Sequence, residues 1–262
     1  MTQPRQTPAR PDADAQALVS FYDDAYTQDP AEAQRYSRWR ALGAVGKADH
    51  VTALCARAGI LPATTLEVGC GDGALLCELH ARGFGGKLAG VEITEAAVRI
   101  AAGRNEIDSV ALYDGSRLDQ PHGSYELGIL SHVLEHVRDP AALLAEVARV
   151  CDAVVVEVPL EANLSARRAS KREHAEEVGH LQRLDRAAMR ELVGRAGLRV
   201  AHELEDPLPL SVHRFFASTR SARVRASAKW ALRAGTHSVA PALAGSLFTV
   251  HYACLCLPDT GG

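Results

Sequence analysis

"LEVGCGDGALL", residues 66–76, is the stretch whose reading decides the fold. An apolar run carrying Glu67 is followed by Gly69, Gly71 and Gly73 at alternate positions, and then by apolar residues again. That is a buried strand turning sharply into a helix. Glycines at such a turn take backbone conformations that a side chain forbids, and they let the chain pass close to a ligand. In an open α/β sheet, ligands bind beyond the carboxyl ends of the strands, and the first strand-to-helix turn is the favoured place. A dinucleotide site would space its glycines G-x-G-x-x-G, so that a pyrophosphate meets the helix N-terminus. Here the spacing is G-x-G-x-G, with Asp72 between the second and third glycines. A carboxylate there repels a pyrophosphate and suits a cationic ligand.

Working outward, short apolar runs alternate with amphipathic stretches from Pro62 onward. "TTLEVG" leads into a helix over about 74–82, "KLAGVEI" into one over about 94–104, and "YELGILS" into one near 139–150. "VALY" is a further short strand, and "AVVVEVP" and "LRVAHEL" flank the helical "DRAAMRELVGRAG". Strands alternating with helices imply right-handed crossovers and a doubly wound, mostly parallel α/β sheet with helices on both faces. The last run, "SLFTVHYACLCLP" (246–258), has no helix after it. It is expected to close a Rossmann-like seven-stranded sheet as an antiparallel strand. A helical insertion occupies about 205–246, helical patterns at 14–26 and 30–58 make a helical N-terminal segment over 14–60, and residues 1–13 read as a disordered arm. Residues 61–262 then form one domain.

Bulk properties narrow the function. With 262 residues, 47% apolar and 23% charged, the chain has the length and composition for one full-sized core. No run approaches the roughly 18 apolar residues of a membrane span, and residues 1–15 lack a signal-like apolar stretch, so the expectation is a cytoplasmic protein. The six cysteines lie scattered through apolar segments, which reads as reduced core residues without disulfides or zinc. Cys254 and Cys256 fall on one face of the last strand. A net charge of −3 gives no global attraction for nucleic acid, and no such partner is expected.

The strand ends carry the ligand chemistry. The second strand ends in Glu92, about 20 residues after the glycines, where an acid accepts hydrogen bonds from both hydroxyls of a ribose. The third ends in Asp114 and Gly115, a short acidic loop suited to an exocyclic amine. Together these describe adenosine without phosphate. On these residues the chain resembles the class I S-adenosylmethionine-dependent methyltransferases. The resemblance spans about residues 20–204, with six segments in order: "LEVGCGDGALL", "GVEITEAAV", "LYDGSRL", "YELGILSHVLEHVRDP", "AVVVEVP" and "GHLQRLDRAAMRELVGRAGL". It implies S-adenosylmethionine as cofactor. Glu67, Gly69, Gly71 and Gly73 would surround its methionine part, with Asp72 near the amine. Glu92 would hold the ribose with Ile93 against the adenine, Asp114 and Gly115 would face the adenine amine, and the Ser131 carbonyl would meet the amino group. It also implies that the N-terminal helices act as a lid.

A sulfonium methyl is already activated, so the protein must mainly align an acceptor, and an acceptor hydroxyl also needs a base. "SHVLEH" after the fourth strand offers His132, Glu135 and His136 at one-turn spacing, and His180 in "EVGHLQRL" can return to the same mouth. The reading is O-methylation of a small-molecule or glycan acceptor, as in secondary metabolism, with His136, assisted by His132 and His180, as base. One alternative is a metal-assisted O-methyltransferase of the small-RNA or quinone type, although His132 stands where those proteins carry a glutamate. Another is a cofactor-binding protein without turnover. Basic stretches at 166–174 and 213–235 flank the mouth and suit an anionic acceptor.

Overall fold

The computed structural model describes residues 30–169 and 179–259, together with Val19, Tyr26, Glu173 and Ala175. The arm at 1–13 and all but Val19 and Tyr26 of the helix expected at 14–26 lie outside the described residues. In chain order the elements are α1 (Pro30–Ala58), β1 (Thr64–Val68), α2 (Ala74–Ala81), β2 (Lys87–Glu92), α3 (Glu95–Ala102), β3 (Ser109–Leu112), β4 (Tyr125–Ser131), α4 (Pro140–Val150) and β5 (Cys151–Leu160). Then follow α5 (Arg186–Arg195), β6 (Leu198–Asp206), α6 (Leu210–Arg214), α7 (Arg220–Val239), α8 (Pro241–Leu247) and β7 (Val250–Pro258). No helix among the described residues is long and apolar enough to cross a membrane.

The seven strands form one sheet in the order β3-β2-β1-β4-β5-β7-β6. β1 pairs in parallel with β2 and β4, and β4 with β5, whereas β7 runs antiparallel to both β5 and β6. The expected antiparallel last strand thus slots between β5 and β6. It begins at Val250, because Ser246 and Leu247 still belong to α8.

Period-two alternation divides the core into two layers. On one face Leu66, Val68, Leu130, Val154 and Val156 pack with Leu144 and Val147 of α4 and with Met189 of α5. On the other, Leu127, Ile129, Val155 and Leu255 pack with Ala48 and Leu54 of α1 and Leu76 and Leu79 of α2. The cysteines are free, and five of the six are buried. Local signals fix the helix starts. Asp139 caps α4, accepting from Ala142 N at 3.0 Å with Pro140 next in sequence, and Asp185 caps α5, accepting from Ala188 N at 2.8 Å.

The topology gathers the chemistry at one edge. β1, β2, β4 and β5 all end there, at Val68, Glu92, Ser131 and Leu160, and antiparallel β7 starts there. The register Pro159↔His251 sets a β7 histidine beside the end of β5.

Candidate active site

The turn after β1 is built as its glycines require. Gly69 and Gly71 have φ of 74° and 56°. A Cβ on Gly69 would lie 2.6 Å from Val133 Cγ2, and one on Gly71 would lie 2.7 Å from the Tyr26 hydroxyl. Gly69 N donates to Val91 O at 2.8 Å, which ties the turn to β2. Glu92 completes the brace: its Oε2 accepts from Gly71 N at 2.9 Å and its Oε1 from Ile93 N at 2.7 Å. Burial raises the Glu92 pKa, and the amides of Gly71, Ile93 and Thr94 pull against it without cancelling it. This bracing role was not visible in the sequence, because β2 and the loop meet only through the parallel pairing.

Two further acids face the turn. Glu67, near the end of β1, is buried, and its Oε2 has no hydrogen-bond partner among the described residues. Burial pushes its pKa up to about 8, with Asp72 and Glu92 adding to the rise and Lys47 opposing it. Asp72 accepts from Arg40 Nε at 2.8 Å through Oδ2, with Arg104 Nη2 at 3.6 Å, while its buried Oδ1 lacks a partner among the described residues. It does not cap α2, whose N-cap is Gly73 with φ 76° and no side-chain bond. The Arg40 guanidinium also lies 4.6 Å from the centre of the Tyr26 ring.

On the far side of Glu92, a Cβ placed on Gly115 would lie 3.6 Å from Ile93 Cγ2, so these two residues sit side by side. Asp114 Oδ1 accepts from the amides of Ser116 and Arg117 and from the Ser116 hydroxyl, all at 2.8 Å. Partial burial would raise its pKa, but the bonds from Arg117 and Ser116 hold it below the usual carboxylate value. One of its oxygens is therefore committed to its own turn. Ser131 ends β4, buried, with Oγ unpartnered among the described residues.

The histidines do not share one face as the spacing of "SHVLEH" suggested. Only Leu134–His136 is helical, a single 3-10 turn, and His132 ahead of it has left-handed backbone with φ 59°. That twist sends His132 toward β5 and β7, where its ring centre lies 4.7 Å from that of His251. His136 instead packs edge-on against His180, with ring centres 4.8 Å apart. Glu135 lies between the groups: Oε1 is 3.0 Å from His132 Nδ1, and it clusters with His136 and His180. His136 Nδ1 is 3.1 Å from the Gly179 carbonyl, which can only accept, so Nδ1 carries the proton and Nε2 the basic lone pair. Burial lowers the His136 pKa, and His180 and His132 lower it further against the pull of Glu135. His180 Nδ1 meets Glu161 Oε2 at 2.7 Å.

One cavity of about 1420 Å³ joins all of this, running from Glu67, Gly71 and Glu92 to His136, His180 and His251. Trp39 lines it from α1 and packs at a tilt against Phe215 and Phe216 beside α6, with ring centres 5.2 and 4.9 Å away. Trp39 of the N-terminal helix thus meets the insertion beside the cavity. The volume exceeds the roughly 300–1,000 Å³ of common small-ligand pockets, leaving room for two ligands.

A family of methyltransferase domains matches residues 34–203, well over half of the chain. The chain belongs to the class I S-adenosylmethionine-dependent methyltransferases. Its cofactor is S-adenosylmethionine, and the site fits it: a side-chain-free turn for close approach, and two buried acid oxygens without partners, at Glu67 and Asp72, for a ligand carrying positive charge. No curated protein matches the sequence. Solved structures share the methyltransferase fold at low identity. Geranyl diphosphate C-methyltransferase of Streptomyces coelicolor, solved with Mg2+, geranyl diphosphate and S-adenosylhomocysteine, has a TM-score of 0.65 at 13% identity, covering 95% of this chain and 99% of that one. Magnesium protoporphyrin IX methyltransferase of Synechocystis, with bound S-adenosylhomocysteine, has a TM-score of 0.58 at 16% identity, covering 93% and 99%. Phosphoethanolamine N-methyltransferase 2 of Haemonchus contortus, with phosphomonomethylethanolamine and S-adenosylhomocysteine, has a TM-score of 0.62 at 12% identity, covering 92% and 60%.

The sequence reading of the methyltransferase missed a buried polar network behind the site. Glu157 of β5 and His251 of β7 line the cavity, and His50 of α1 bridges Glu157 Oε2 and Asp206 Oδ2 at 3.1 Å each. Burial alone would lower the His50 pKa, but its bonds to Asp206 and Glu157 raise it to about 9, so both ring nitrogens donate. The signal was present: an acid inside "AVVVEVP" and a histidine inside "TVHYACLCLP" are polar groups in strands that are otherwise buried, and such groups need partners.

Proposed function

We propose that the protein transfers a methyl group to an oxygen of a small, anionic acceptor, with His136 as the base. S-adenosylmethionine supplies the methyl on a sulfonium centre that needs no further activation. Glu67, Asp72 and the Gly69–Gly73 turn hold its methionine end, Glu92 the ribose, and Ile93, Asp114, Gly115 and Ser131 the adenine and amino group. Glu92 can take the ribose hydroxyls while keeping its two amides, because an ionised carboxylate offers about four acceptor sites. In the transfer, the acceptor oxygen forms a bond to the methyl carbon as the sulfur–carbon bond breaks. The hydroxyl proton passes to His136 Nε2.

The observation that carries this reading is a half-buried imidazole with a lowered pKa, held in one tautomer by the Gly179 carbonyl, in the same cavity as the glycine turn. His180 packs against its ring and keeps it in place. Lys47, Arg183 and Arg233 line the cavity as cations. The two basic stretches approach each other there: Arg168 lowers the pKa of half-buried Arg233, second to burial itself. That charge favours a phosphorylated or carboxylated acceptor. Two proteins that share the fold were solved with phosphate-bearing compounds.

The test is mass spectrometry of small molecules from cells with and without the protein, followed by transfer of labelled methyl to the candidates. An anionic compound gaining one O-methyl group in the wild type and not with His136→Ala supports the reading. Methylation that survives His136→Ala at full rate refutes the base assignment.

A further inference from the structure

His132 just past β4, Glu157 in β5 and His251 at the start of β7 aim three ligand-type atoms at one point. His132 Nε2 is 3.1 Å from His251 Nδ1 and 3.5 Å from Glu157 Oε1, and His251 Nδ1 is 3.3 Å from the same oxygen. The edge of a tetrahedron whose centre lies about 2.0–2.1 Å from each corner is about 3.3 Å, the spacing of ligands around zinc. Hydrogen bonds can serve these contacts through a proton on His132 Nε2 or on His251 Nδ1, whereas an ion would use a lone pair of all three atoms.

Two of the three groups, His132 and Glu157, are anchored through their outward-pointing atoms, as ligands of metals usually are. His132 Nδ1 is held by Glu135 Oε1 at 3.0 Å, which fixes the ring with Nε2 facing the triangle, the nitrogen that would give up its proton to an ion. Glu157 Oε2 is held by His50 Nδ1 at 3.1 Å, and His50 in turn by Asp206 Oδ2 at 3.1 Å. Glu157 and His251 stand on paired strands, and His132 reaches them only through its left-handed backbone, a conformation that residues with side chains seldom hold without a functional reason.

We propose that His132, Glu157 and His251 form a site for a divalent transition-metal ion, with zinc the best match, open on one side to the cavity. Two imidazoles and one carboxylate suit zinc or its neighbours better than magnesium, and three protein ligands leave a fourth position for a ligand oxygen. All three residues line the cavity that holds the glycine turn. The fourth position would therefore take a hydroxyl or oxyanion of the acceptor and make its proton easier to remove. That role rests on the methyltransferase reading above; binding of the ion does not. The group is distinct from Glu135, His136 and His180, which form a separate cluster.

The experiment strips the full-length protein with a chelator and titrates Zn2+ by calorimetry and Co2+ by visible absorption. Expected are one zinc per chain and the intense cobalt bands of a four-coordinate site. His251→Ala and Glu157→Gln should each weaken zinc binding by at least about 100-fold, and His50→Gln by about tenfold, while His180→Ala leaves it unchanged. Absence of zinc binding, a six-coordinate cobalt spectrum in the wild type, or binding lost in His180→Ala but kept in His251→Ala would overturn the proposal. The cobalt spectrum needs no variant, so it decides even if a substitution unfolds the chain. Zinc binding without binding of S-adenosylhomocysteine would support this site and refute the functional reading.

Discussion

Replacing Glu67 with glutamine removes one titrating proton from the heart of the site, and its consequences can be worked out in advance. The wild-type carboxyl is fully buried, and its pKa stands at about 8 against an ordinary 4.5. Burial is the main cause; Asp72 and Glu92 reinforce it, and Lys47 of α1 opposes it. Between pH 4.5 and about 8 the folded protein keeps a proton that the unfolded chain has released, so this group makes stability fall as pH rises through that window, with the loss complete above it. At about 1.4 kcal/mol per pH unit, the whole interval is worth on the order of 5 kcal/mol. Urea unfolding at one-unit steps from pH 5 to pH 9 measures it. The wild type should lose stability relative to Glu67→Gln by on the order of 4 kcal/mol across that range. A cationic ligand placed beside Glu67, as proposed, favours the ionised form, so S-adenosylmethionine should bind more tightly as pH rises, by up to about tenfold per unit until pH 8, with release of a proton. Glu67→Gln should show neither effect. Equal pH slopes in the two proteins, for stability and for affinity, would refute this account of Glu67.

Other substitutions probe the neighbouring parts. Gly69→Ala forces a side chain into left-handed backbone against Val133 and should cost roughly 1–2 kcal/mol in thermal unfolding, together with a clear loss of S-adenosylhomocysteine affinity. Arg40→Ala leaves the buried Asp72 carboxylate, among the described residues, with the longer contact to Arg104. Because Arg40 is itself partly exposed, unfolding should show a loss of about 2 kcal/mol. His136→Ala should lower kcat by about 10²–10⁴-fold while leaving cofactor affinity intact by calorimetry; a parallel loss of cofactor binding would place His136 in the cofactor site instead.

Much of the fold was written in short-range pattern. The alternation of apolar runs and amphipathic stretches located β1 to β7, and "LEVGCGDGALL" marked the tight turn after β1, where Gly69 and Gly71 take positive φ and leave no room for side chains. Glu92 was legible as an acid ending an apolar strand, although its hold on the Gly71 amide depends on the pairing of β1 with β2. The histidines were harder. Sequence spacing treats "SHVLEH" as one turn, but a single left-handed residue at His132 redirects it to Glu157 and His251, more than twenty and more than a hundred residues away in the chain. No local pattern encodes that meeting. It follows from β7 entering antiparallel beside β5, and the only clue in the sequence is polar residues in strands too apolar to keep them unpaired.

The most direct measurement titrates S-adenosylhomocysteine into the wild type and into Glu92→Ala by calorimetry. One equivalent should bind per wild-type chain. Loss of the brace on Gly71 and of the proposed ribose acceptor should weaken binding in the variant by at least about 30-fold, the equivalent of roughly 2 kcal/mol. A wild type that takes up no ligand, or a variant that binds equally well, would contradict the account.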